Sequence, residues 1–151
     1  MPLGFGVRDD QMERALKFRN VLDKAPAAKG KANYIVLGDF NTMGMNLTHS
    51  SKDIGADEEI ARLTERAVKR NMKLLSKTAS HTYWPGSTSS IPAGDLDHVL
   101  AAEHLTFKDQ GNGHPVLVKG WVEETTDAKR DAWRKKYSDH AMLFLEVEKV
   151  Q

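Results

Sequence analysis

Five side chains of three types, at three places in this chain, could work together on a phosphate. Asp39 and Asn41 close the apolar run Tyr34-Ile35-Val36-Leu37, just after Gly38. Side chains of an extended segment alternate faces, so residues two apart leave a strand end on the same side. A carboxylate there can hold a divalent cation or orient a water. A carboxamide can donate to a phosphate oxygen without adding repulsive charge. A further acid, Asp97, sits at the edge of a second apolar run in Asp95-Leu96-Asp97-His98-Val99-Leu100. Asp139 and His140, in Tyr137-Ser138-Asp139-His140-Ala141, open a third run, Met142 to Leu145.

Each piece taken singly has a plain explanation. A Gly-Asp turn after a strand is common, Asp97 can cap a turn, and Asp139 can cap the start of a strand. Together and in this order, the pieces resemble the endonuclease/exonuclease/phosphatase superfamily, which includes DNase I-like nucleases, abasic-site endonucleases, sphingomyelinases and inositol phosphatases. The resemblance runs from about Arg8 to the C-terminus. It implies that Asp39 positions or deprotonates the attacking water, or binds the metal, and that Asn41 holds a phosphate oxygen. It also implies that Asp139 is a metal-side carboxylate, that His140 contacts the scissile phosphate, and that Asp97 hydrogen-bonds the ring of His140. The metal so implied is magnesium, held by Asp39 and Asp139. The Asp97–His140 pairing makes physical sense independently, since a carboxylate partner fixes an imidazole's tautomer and raises its pKa.

The chain resembles only the C-terminal half of such a domain. The early Asn, the metal-binding Glu and the mid-chain His or Tyr of the family have no counterpart before Arg8, and Glu13 lies in an amphipathic helical pattern instead. Magnesium needs near-octahedral oxygen ligation, so the expectation is weak binding. Half of a preorganised shell loses several kcal/mol of transition-state stabilisation, as an order of magnitude. Little or no activity is therefore expected of the chain alone. Two readings follow. One is a truncated magnesium-dependent phosphoesterase or phosphodiesterase of nuclease type, completed by an N-terminal half-domain. The other is a non-catalytic, dimeric interaction module or remnant. The substrate (nucleic acid, sphingolipid or inositol phosphate) stays open.

Other residues carry less. His98 reads as a strand residue where the family often has an aromatic. His81, Tyr83 and Trp84 could line a groove or stack on a base, but packing explains them as well. His49, His104 and His114 lack metal-ligand spacing. Ser87 to Ser90 read as a polar turn, and Gly111-Asn112-Gly113 lacks the Lys-Ser/Thr tail of a phosphate loop. Lys69, Arg70, Lys73 and Lys77, like the cluster from Lys129 to Lys136, read as solvated helix faces.

Several elements must position these groups. Asp10 to Glu13 fits a capping box, opening a helix that ends between Lys24 and Pro26. A strand covers Asn33 to Leu37, followed by a polar loop from Thr42 to Ala56. Asp57 is the expected N-cap of a second helix with Ile60, Leu63, Ala67, Leu74 and Leu75 as its buried stripe. Short strands are expected over His81–Trp84, Leu96–Ala101, Leu105–Lys108 and Val116–Val122. Thr126 caps a third helix, and a last strand runs from Ala141 to Glu148. The order reads as α/β: half of a DNase I-like α/β/β/α sandwich, with one mixed sheet of about six strands and helices on one face. Apolar residues at consecutive strand positions imply two covered faces. With the other half missing, a bare face would be sticky, so a homodimer through that face is expected.

The 151 residues, 40% hydrophobic and 28% charged, set the bounds of a single domain over 1–151 able to bury about 70% of its unfolded surface. A net charge of +1 gives no global basic field of the kind that advertises nucleic-acid binding. With no cysteine, disulfides and thiolate metal sites are excluded. The start Met1 to Gly6 lacks the pattern of a signal peptide and no run reaches transmembrane length, which makes the cytoplasm the default expectation.

Overall fold

The computed structural model describes residues 5–44 and 54–150. His49, the start Met1 to Gly4 and most of the Thr42–Ala56 loop lie outside them. Among the described residues, three α-helices and seven strands follow one another: α1 (Phe5–Asp23), β1 (Ile35–Asp39), α2 (Ala56–Val68), β2 (Met72–Leu74), β3 (Asp97–Ala102), β4 (Leu105–Phe107), β5 (Leu117–Lys119), α3 (Asp127–Lys136), β6 (Met142–Phe144) and β7 (Val147–Val150). The class is the expected α/β.

The strands form a three-stranded antiparallel sheet, in the order β1-β3-β2, and two antiparallel pairs, β5-β6 and β4-β7. A parallel bridge, Lys77 to Val116, joins the first sheet to the β5-β6 pair, with Thr78 N donating to Val116 O at 2.9 Å. That bridge makes the combined layer mixed. The β4-β7 pair stands apart from it, where one sheet of about six strands was expected. The last strand is divided at Leu145–Glu146, because β6 pairs with β5 while β7 turns to β4.

Both faces of the sheet are packed. Val36, Leu100, Met72 and Leu74 meet Leu16 of α1 and Leu63 and Ala67 of α2. On the other face, Val99 and Ala101 are fully buried and cluster with Leu75, Val116, Phe107 and Leu143. The face expected to be bare is thus partly covered by the chain's own later strands. Leu37, Met142, Phe144, Val147 and Val150 remain exposed.

Helix limits differ from the sequence reading where tertiary contacts outweigh local signals. Asp10 lies inside α1, which starts at Phe5, and there it pairs with Arg14 at 2.8 Å in place of a capping box. Arg66 with Asp9 and Arg70 with Glu13 tie α1 to α2. Gly55, not Asp57, is the N-cap of α2. Leu74 and Leu75 belong to β2 and its continuation because Asn71, at φ 50°, ends the preceding turn. His81 to Trp84 pairs only through isolated bridges at Tyr83. Thr126 does cap α3, accepting from Lys129 N.

Candidate active site

The site is built where β1 ends and β3 begins. Asp39 and Asp97 are cross-strand partners in the β1–β3 register, so the pairing that buries Val36 and Leu100 also sets these two carboxylates side by side. Asn41 follows in the left-handed region, φ 52°, which asparagine tolerates better than most residues. Its backbone N–H donates to Asp39 Oδ1 at 2.8 Å and its side-chain amide to Asp39 Oδ2 at 3.0 Å. Arg8 of α1 donates to the Asn41 carbonyl, and Glu59 of α2 holds Arg8 at 3.1 Å. Burial raises the pKa of Glu59, against the opposing charge of Arg8.

His140 arrives from the far end of the chain. The segment Thr82–Trp84 brings it in: Ala141 N donates to Thr82 O at 2.7 Å, and Trp84 N donates to Asp139 O at 2.8 Å. The Tyr83 ring lies against the imidazole with centroids 5.2 Å apart. Thr82 is fully buried, and its hydroxyl accepts from the N–H groups of Leu96 and Asp97 at 3.1 and 2.9 Å. One threonine therefore ties the start of β3 to the histidine loop.

The resulting row runs Asp97–His140–Asp39. His140 Nδ1 lies 2.8 Å from Asp97 Oδ2. Its Nε2 stands 4.0 Å from Asp39 Oδ2, too far for a direct hydrogen bond but close enough for a single oxygen atom to reach both. Burial alone would lower the pKa of His140, yet the hydrogen bond to Asp97 and the charges of Asp97, Asp39 and Asp139 raise it. An ionised carboxylate only accepts, so Nδ1 carries a proton toward Asp97 and Nε2 faces the open side.

Ligand atoms of Asp39, Asp97 and His140 lie within 4.8 Å of one another, and this group could hold a metal. Its members are not equivalent. Asp97 is buried and engaged by His140, whereas the Asp39 side chain is 37% exposed. A hard cation that keeps much of its water fits an exposed carboxylate of this kind. Asp139 is half-buried and stands outside the three-residue group. The structure thus draws together Asp39, Asn41, Asp97 and His140, with Asp139 on the flank.

Sequence reasoning missed what lies behind this row. Lys77 is not on a solvated helix face. It follows β2, its side chain is only 7% exposed, and it pairs with Asp95. His98 is buried on β3, and desolvation, with Lys77 nearby, lowers its pKa to about 4. Thr82 and Thr42 are also buried. A lone lysine or threonine in a loop has no periodicity that could have marked it.

Residues 7–140 match the endonuclease/exonuclease/phosphatase family. No curated protein and no solved structure matches the chain. The match covers most of the chain and spans every group in the row, so the chain belongs to the endonuclease/exonuclease/phosphatase family.

Proposed function

We propose that this chain carries the acid–imidazole part of a magnesium-dependent phosphoesterase site. The observation behind this reading is the row Asp97–His140–Asp39, with its 2.8 and 4.0 Å spacings. Asp39 orients the attacking water and takes its proton. The second N–H of the Asn41 amide, beyond the one given to Asp39, holds a phosphate oxygen. His140, oriented by Asp97 and with its cationic form favoured by the neighbouring carboxylates, donates from Nε2 to the phosphate as charge builds. Magnesium, held by Asp39 with Asp139 on the flank, would supply charge neutralisation at the phosphate.

No glutamate joins the group among the described residues. We read the further ligand as one supplied from outside the described residues, by an N-terminal half-domain, and these residues alone as weakly active at most. Plasmid DNA incubated with the chain and magnesium should be cleaved no faster than with Asp39→Ala. Ready cleavage abolished by Asp39→Ala would show a site that needs no second half. A half-domain supplied in trans should restore cleavage.

The exposed apolar residues favour a second reading, a dimer closed through the sheet and used for interaction. Leu37, Met142 and Phe144 are 56%, 58% and 47% exposed. Light scattering at high concentration distinguishes the two, since a strictly monomeric chain counts against the dimer.

A further inference from the structure

Behind the row of site residues lies a buried polar relay that the chemistry above does not use. Lys77 has three donors and three acceptors facing them: Asp95 Oδ1, the Asp97 carbonyl at 2.6 Å and His98 Nδ1 at 3.5 Å. An ammonium only donates, so Nδ1 of His98 must accept and its proton sits on Nε2. That Nε2 lies 2.7 Å from the Thr42 hydroxyl. The hydroxyl, accepting there, gives its own proton to the Asp95 carbonyl at 2.5 Å. Every hydrogen in the relay has one direction, and the relay returns to the segment where it began.

Its position gives it consequences. Thr42 directly follows Asn41, and Asp95 and His98 bracket Asp97. The β1–β3 ladder ends at Asp39 and Asp97, so beyond that pair few backbone bonds fix the spacing of the two loops; one is Phe40 N to Leu96 O at 2.8 Å. The relay supplies side-chain bonds at that end, in a place largely shielded from water, with only the Asp95 carboxylate partly exposed at 29%. His98, Thr42 and the Lys77 side chain are 1%, 3% and 7% exposed. Low local dielectric strengthens such a network and makes the loss of one member costly.

We propose that Lys77 is a positioning residue of this site, acting through His98 and Thr42 to hold the Asp39–Asn41 loop and the Asp97 carboxylate in register with each other. The inference rests on the phosphoesterase reading for its purpose, but its geometry can be tested without it. Lys77→Met keeps the apolar stem and removes the donors. Thr42→Val keeps the shape and cuts the relay at its other end.

The experiment is NMR on the full chain without ligand, followed by titration with inorganic phosphate in magnesium. In the wild type, the ring nitrogens of His98 should show the Nε2-protonated tautomer. The His140 Nδ1 proton, shared with Asp97, should give a resolved downfield signal. In either variant that signal should shift or be lost to exchange while the remaining spectrum stays folded. Phosphate affinity should fall about tenfold, as outer partners of a site commonly produce. The proposal is overturned by a His98 protonated on Nδ1 in the wild type, or by variants that fold and keep the His140 signal and the affinity. A wild type with the expected tautomer and His140 signal but no phosphate binding at Asn41 and His140 would instead sink the phosphoesterase reading, with the relay left standing.

Discussion

The charge on His140 is set by two opposing influences, and Asp97 decides between them. Burial pushes the imidazole toward neutrality, while the bond to Asp97 and the neighbouring acidic charges raise its pKa from the ordinary histidine value. Asp97→Asn removes the charge and leaves the burial. The His140 pKa, followed by NMR titration, should then fall to or below the ordinary value; an unchanged pKa would show that Asp97 is not its partner. His98 has the reverse linkage. Its pKa is lowered from 6.5 to about 4, so the unfolded chain binds the proton first as the solution is acidified. The stability it protects is present above pH 6.5 and is lost as pH falls through that window, on the order of 3 kcal/mol. His140 contributes stability below its unfolded pKa, which is lost as pH rises through the higher folded value. Urea unfolding at pH 7 and pH 4.5 should show the acid loss, and a His98→Phe variant should lack most of it. The motif residues were legible because their types, spacing and order are unusual together. His98, Thr42, Thr82 and Lys77 were not, because the partners that give them meaning are distant in sequence.

Among the elements, the segment from Thr82 to Trp84 does most to assemble the site while forming no regular strand. Its bridges at Tyr83 and the two bonds accepted by the Thr82 hydroxyl hold the histidine loop against β3. Thr82→Val keeps the shape and strands two buried N–H groups, at a cost of about 1–3 kcal/mol each. Denaturant unfolding should show a loss of about 2–6 kcal/mol for the two together, and a neutral result would mean that Thr82 does not hold the histidine loop. Gly120 offers an independent check on the α3 corner. At φ 112°, a Cβ there would come within 2.6 Å of the Trp133 ring, so Gly120→Ala should cost at least about 1–3 kcal/mol. The Thr126 cap was readable because its hydroxyl acts locally, on Lys129 N. The capping box at Asp10 failed as a boundary because ion pairs to α2, such as Asp9 with Arg66, continue α1 beyond it. Leu74 and Leu75 fit a helical stripe by spacing, but Asn71 turns the chain before them.

For the whole molecule, the α/β class followed from the order of apolar runs, while the division of strands among sheets did not. Short strands carry little register information, and among the described residues the main sheet meets the β5-β6 pair through one bridge, Lys77–Val116, and a few flanking hydrogen bonds. The expected bare face is partly filled by Phe107 and Leu143, which sequence spacing could not place against Val99 and Ala101. The exposed Leu37 and Phe144 still predict self-association, so replacing both with polar residues should shift a dimer toward monomer in light scattering, and an unchanged mass would locate any contact elsewhere. Asp39, Asn41 and His140 are proposed to act as one phosphate- and metal-directed site. Magnesium titration of the chain, followed through its backbone amide signals, tests it most directly. Weak, saturable shifts centred on Asp39, Asn41 and His140 are expected, and they should vanish in Asp39→Ala. Saturable shifts centred elsewhere, or none at these residues, would contradict it.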